Sequence, residues 1–144
     1  MSRRILFALI LVSLLLAACS SAPSSPAAPA GPSTSAGDAA NGQKLFTAGK
    51  SPAPPCASCH SIKPGEKLVG PSLAGISTQA AQVIKDPNYK GKAKTAQDYI
   101  QESIVDPNIY IVSGYQPNVM YQNYGKDLSS QEVNDLVAYL MTLK

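Results

Sequence analysis

The chain has 144 residues, enough for one folded domain once any targeting segment is set aside. Charged residues are 15% of it and the formal net charge is +3, which excludes the dense basic surface that phosphate-backbone binding needs, so no nucleic-acid partner is expected. Both arginines, Arg3 and Arg4, sit at the extreme N-terminus; a product without them carries about one net positive charge, too little for strong steering.

Residues 1–18 combine a short basic start, an apolar run from Ile5 to Leu16 and then small residues, the order of a signal peptide. The apolar run falls short of the roughly 20 residues a spanning helix requires. It ends in Leu16-Ala17-Ala18-Cys19, which resembles the bacterial lipobox. That resemblance implies that Cys19 becomes the first mature residue, with diacylglycerol on its sulfur and an acyl chain on its amine. Two or three acyl chains suffice to hold a soluble domain on a bilayer, whereas one is marginal. The chain is therefore read as exported and anchored by lipid on the periplasmic or extracytoplasmic face. Residues 19–36 are read as Cys19 and a linker: 20–36 hold only Ser, Ala, Pro, Gly and Thr, with no charge and no large apolar side chain, and cannot form a core. Extended, it reaches on the order of 50 Å. A single domain is expected over 37–144.

The domain begins with Ser35-Ala-Gly-Asp38, read as a capping box, followed by a helix that places Ala39, Gly42 and Phe46 on one face and stops at Gly49. After the Pro-rich coil 51–55 comes Cys56-Ala57-Ser58-Cys59-His60, the C-x-x-C-H pattern of covalent haem attachment. Two thiols on one turn can add across the two vinyl groups of one haem, and the adjacent imidazole is then aimed at the iron. Three other readings fit less well. A redox dithiol wants a preceding strand, and the proline coil is not one. A zinc site wants further ligands, yet His60 is the only histidine and Cys19 the only other cysteine. A structural disulfide leaves His60 unexplained.

Lys85, Lys90, Lys92 and Lys94 then crowd a short stretch that holds Asp86 as its one acid, either a docking patch for an acidic partner or a solvated loop. A second helix is expected from a Thr95/Asp98 capping box, carrying Tyr99, Ile100 and Ile104 and ending near Asp106 ahead of Pro107. Ile109 to Val112 is too short to predict a strand. The loop from Gly114 to Gly125 contains Met120, off any helical face. The last helix has a Ser129/Glu132 capping box, a Leu128/Val133 staple and a stripe of Val133, Leu136, Val137, Leu140 and Met141. Met141 continues that stripe as a core residue, so Met120 is the better candidate for a second axial ligand, soft sulfur suiting an iron that cycles between two charges. Three helices leave much loop for a buried cofactor to organise.

The helix with Gly42 and Phe46, the C-x-x-C-H, the Met loop and the capped final helix together resemble a class I cytochrome c over residues 37–144. The resemblance implies an all-α fold of short helices and loops wrapped around one covalent haem c held by Cys56, Cys59, His60 and Met120. Residues 69–76 are similar to the family's G-P-x-L loop, which implies that the Pro71 carbonyl orients His60. It also implies that Gly42 and Phe46 cross against Leu136 and Tyr139. Tyr115, Tyr121 and Tyr124 are expected either around the haem or in ordinary aromatic core. Residues 95–120 are similar to cytochrome domains of haem-copper oxidases and to the mono-haem lipoprotein subunit of alternative complex III. The implied function is one-electron transfer in respiratory or photosynthetic chains, with no catalytic residue. Implied partners are alternative complex III, a haem-copper oxidase or a small copper protein, met as a free tethered carrier or as a fixed subunit. The alternative is a haem peroxidase or gas sensor with a displaceable Met ligand. A Met ligand favours ferrous iron and a potential on the positive side of the family's range.

Overall fold

The computed structural model describes residues 36–144, and the signal peptide expected over 1–18, Cys19 and nearly all of the linker lie outside the described residues. Those described form α1 (Ala39–Ala48), a 3-10 turn (Cys56–Ser58), α2 (Ile76–Val83), α3 (Ala96–Val105), α4 (Tyr124–Asp127) and α5 (Ser130–Leu140). They contain no strand, only an isolated bridge between Lys50 and Ala53. The all-α expectation holds, and residues 109–112 run as turn and coil.

The cap of α1 differs from the expected box. Asp38 is itself the N-cap, its carboxylate accepting from the Ala40 and Asn41 N–H groups. Gly49 ends the helix at φ +67°, where a Cβ would meet Pro55 N at 2.6 Å. The boxes at Thr95/Asp98 and Ser129/Glu132 are both formed, each satisfying two of the N–H groups that a helix start leaves unpaired. Two helices are additional to the three expected. α2 starts from Gly75 and α4 from Asn123, and neither has a side-chain cap, so neither carries the sequence signature of a helix start.

α1 lies against α5. A Cβ on Gly42 would sit 1.9 Å from the Asp135 carbonyl oxygen and 2.9 Å from Tyr139 Cβ, and one on Gly37 would sit 2.1 Å from the Asn134 carbonyl oxygen. The crossing thus brings backbone onto backbone, with Phe46 and Tyr139 rings 5.4 Å apart beside it. Phe46, Leu136, Tyr139 and Leu140 are buried in the core, as are Tyr99, Ile100 and Ile104 from α3. Asp135 is buried at the same crossing and accepts from Asp38 N–H (2.8 Å), Asn41 Nδ2 (2.6 Å) and Gln131 Nε2 (2.8 Å). Ser77 Oγ donates to the Leu143 carbonyl at 3.0 Å, which ties α2 to the end of the chain.

Candidate haem-binding cleft

The helices and the long loops between them leave a cleft of about 350 Å³, a size in the range of cofactor pockets, roughly 300–1,000 Å³. Cys56, Cys59, His60, Pro71 and Met120 all line it. Five residues drawn from three separate stretches of sequence therefore meet in one place. Cys19 lies outside the described residues.

The 3-10 turn delivers the thiols and the imidazole. His60 N–H donates to the Cys56 carbonyl at 2.9 Å, closing the turn. Tyr124 hydroxyl donates to the Pro54 carbonyl at 2.9 Å and so pins the coil that leads into it. Both thiols are free. Burial pushes the Cys56 thiol up to about 11, so it stays protonated at neutral pH. Burial also raises the Tyr124 phenol, with the neighbouring Cys56 and Cys59 adding to the shift.

Residues 70–73 are laced onto this turn by Gly70 N–H to the Cys59 carbonyl (2.9 Å) and Leu73 N–H to the Ser61 carbonyl (2.8 Å). That pairing brings the Pro71 carbonyl oxygen to 2.8 Å from His60 Nδ1. A carbonyl only accepts, so Nδ1 carries the proton and Nε2 keeps its lone pair for a ligand. Burial holds the imidazole pKa below its ordinary value, with the Pro71 bond acting weakly the other way; the ring is neutral at pH 7, the form that binds a metal. Gly70 lies flat against it, since a Cβ there would be 2.5 Å from His60 Cε1.

Met120 comes from the loop between α3 and α4, which is clamped by amide side chains. Asn108 Nδ2 donates to Asn118 Oδ1 (2.9 Å) and Gln122 Oε1 (2.6 Å), and Asn118 N–H returns a bond to Asn108 Oδ1 at 2.9 Å. Gln122 Nε2 donates to the Met120 carbonyl at 2.6 Å. Asn118 adopts φ +63°, a conformation that Asn tolerates better than most side chains. The sequence reading missed Gly70, Asn108, Asn118 and Gln122 as supports of the site. The signal for Gly70 was its place in the G-P-x-L-like loop; that for the amides was the run of Asn, Gly and Pro around Met120, which marks a turn without saying which amides pair. Met141, by contrast, is half-buried against the core and does not line the cleft.

The three tyrosines divide between the two expected places. Tyr115 lines the cleft, whereas Tyr121 and Tyr124 meet edge to face outside it with rings 5.1 Å apart, and Tyr99 and Tyr110 take places in its wall. Position 124 falls on an unforeseen helix, which turns its ring toward the Pro54 coil. Tyr110 donates to Asp86 Oδ2 at 2.9 Å. None of Lys85, Lys90, Lys92 and Lys94 lines the cleft, and all four are exposed.

The donor set fits a covalently held haem: two free thiols beside one histidine whose Nδ1 is committed, a thioether, and walls otherwise mostly apolar. Comparison with known proteins agrees. The family profile described as Cytochrome c matches residues 39–144, which contain the whole cleft. Cytochrome c2 iso-2 of Magnetospirillum molischianum is 29% identical over 94 residues, 62% of this chain and 91% of that protein. The chain belongs to the cytochrome c family, whose electron-transfer cofactor is one covalently bound haem c.

Proposed function

We propose that this protein is a lipid-anchored mono-haem carrier that passes single electrons between membrane complexes, with iron held by His60 and Met120. Bound haem supplies a one-electron ferric/ferrous couple. Cys56 and Cys59 would hold the macrocycle through two thioether bonds. His60 would offer Nε2 to the iron, its ring fixed by Pro71 through Nδ1, and Met120 would offer sulfur from a loop held by Asn108, Asn118 and Gln122. The observation that carries this reading is the meeting of a pre-oriented neutral imidazole, two thiols and a thioether in one mostly apolar cleft. With His60 and Met120 both holding the iron, the site would exchange electrons rather than bind a substrate.

The same reading takes 1–18 as a signal peptide, Cys19 as the acylated residue, 19–36 as a tether and 37–144 as the cytochrome domain, exported and held on the extracytoplasmic membrane face. Support comes from the lipobox-like Leu16-Ala17-Ala18-Cys19 and from the observation that, among the described residues, no helix is long and apolar enough to cross a membrane. Its partners are redox proteins of the respiratory or photosynthetic chain, of the kind represented by alternative complex III, haem-copper oxidases and small copper proteins.

The test is expression in a host with a cytochrome c maturation system. Wild-type protein is expected to keep haem on a denaturing gel, to show low-spin spectra in both oxidation states and to leave carbon monoxide unbound when reduced. Met120→Ala is expected to bind carbon monoxide and to lose the far-red band of ferric iron bound to thioether. Loss of that band in Met141→Leu instead would refute the ligand assignment. Mass spectrometry of the mature N-terminus checks the anchor: an acylated Cys19 is expected, and an unmodified N-terminus within the linker contradicts it.

A further inference from the structure

The wall that α3 contributes to the cleft is nearly all apolar. Ile100 and Ile104 are buried there, yet Ser103, on the same face, buries a hydroxyl oxygen that has no hydrogen-bond partner. A serine inside a helix commonly returns its hydroxyl to the carbonyl four residues back, and Ser103 does not. Tyr99, one turn earlier, has a phenol pKa raised by burial and held back slightly by the nearby Ser103, but no hydrogen bond of normal geometry joins the two side chains. An unpaired buried hydroxyl destabilises the fold, because the loss of its bond to water is not repaid. Alanine would remove that cost and gain helix propensity. Serine at this position makes chemical sense when its partner arrives from the cleft.

We propose that Ser103 is a positioning residue of the haem site, its hydroxyl donating a hydrogen bond to an electron-rich acceptor of the loaded cleft. The inference rests on the haem reading given above. Two atoms there have that chemistry, a propionate oxygen and the iron-bound sulfur of Met120. No lysine or arginine lines the cleft, so a neutral hydroxyl is the kind of donor this wall provides. Donation to either acceptor draws electron density away from the iron, withdraws support from the ferric state and holds the potential up.

Holoproteins carrying Ser103→Ala, Ser103→Thr and Tyr99→Phe test this by redox titration and thermal melting. Ser103→Ala is expected to keep its covalent haem, to show a lower midpoint potential and to melt earlier. Ser103→Thr keeps the hydroxyl and is expected to hold the wild-type potential. A difference between wild type and Ser103→Ala that fades as pH falls through the carboxylate range identifies the propionate, whereas a pH-independent difference with a displaced far-red band identifies the Met120 sulfur. An unchanged potential with a higher melting temperature in Ser103→Ala overturns the proposal, because the hydroxyl is then unpaired in the holoprotein too. Tyr99→Phe reproducing the Ser103→Ala shift overturns it as well, since the partner is then the phenol. Absence of haem from wild type would defeat the cofactor reading itself and is seen before any variant is compared.

Discussion

Gly70 is where the histidine side of the site has least room. Its missing side chain lets the His60 ring lie on the backbone, with Cε1, Nδ1 and Nε2 at 2.5, 2.8 and 3.0 Å from where a Cβ would stand. Those atoms belong to an aromatic ring tied to Pro71, so the ring cannot step aside without breaking the Nδ1 hydrogen bond. Gly70→Ala is therefore expected to cost about 1–3 kcal/mol in the overpacked site, and to cost ligation as well. The readouts are a lower holoprotein yield and high-spin character in the ferric spectrum; a low-spin variant with wild-type yield would show that the loop yields easily. The adjacent Pro71 is readable from sequence because it sits in a recurring loop. Gly70 belongs to the same G-P-x-L-like loop, but its packing role is not readable there, since the contact that requires it comes from a ring ten positions earlier. The amides that clamp Met120 are hidden for the same reason: Asn108 and Asn118 are ten residues apart in the chain, and only the fold makes them partners.

The helices show which elements announce themselves and which depend on their neighbours. α3 and α5 open on complete capping boxes, a local code written within four residues and legible without any tertiary knowledge. α2 opens on Gly75 at φ +72° with no capping side chain, and its Ser77 is held by the carbonyl of Leu143 from the far end of the chain. Asp135 is the clearest case of an element-scale role invisible in sequence, where it reads as a polar position on a helix. In the fold it is 2% exposed and joins α5 to the start of α1. Burial alone would raise its pKa, but the Asp38 N–H, the Asn41 amide and Gln131 hold the carboxyl below the ordinary carboxylate value. A carboxylate with a depressed folded pKa contributes stability above its unfolded value of about 3.9 and loses it as pH falls through the folded value. Asp135→Asn keeps the shape and removes the charge. It is expected to melt earlier at neutral pH, by about 2 kcal/mol for hydrogen bonds that lose their charged acceptor, and to show a flatter acid limb in a plot of melting temperature against pH. Parallel acid limbs for the two proteins would assign the acid sensitivity to other carboxylates.

At the scale of the whole molecule, the distribution of charge decides how the domain meets a partner. Lys85, Lys90, Lys92 and Lys94 are the densest basic run in the chain, but the loop that carries them is built around acids. Glu102 accepts from the Tyr89 hydroxyl and from Lys92 N–H, Asp86 accepts from Asn88 N–H and Tyr110, and Asp98 is paired with Thr95 in the capping box and accepts from Lys94 N–H. These bonds keep Asp86, Asp98 and Glu102 below their ordinary pKa values, so all three are charged at neutral pH. Four lysines against three carboxylates make a weak local field, and the lysines stand outside the cleft lining. A carrier tethered as proposed above would gain effective concentration from its anchor and would have little need of steering over long distances. Converting the four lysines to Gln is therefore expected to slow oxidation by membranes only a few-fold at low ionic strength, well short of the 10–1,000-fold range of strongly focused fields. The difference should vanish near 0.1 M salt, where the Debye length is about 10 Å. Stopped-flow oxidation at two salt concentrations measures it. Equal rates at low salt would make the loop a solvated face held in shape by its own acids. A loss that persists at high salt would instead mean that the lysines are packed in a fixed interface, as in a permanent subunit of a larger complex.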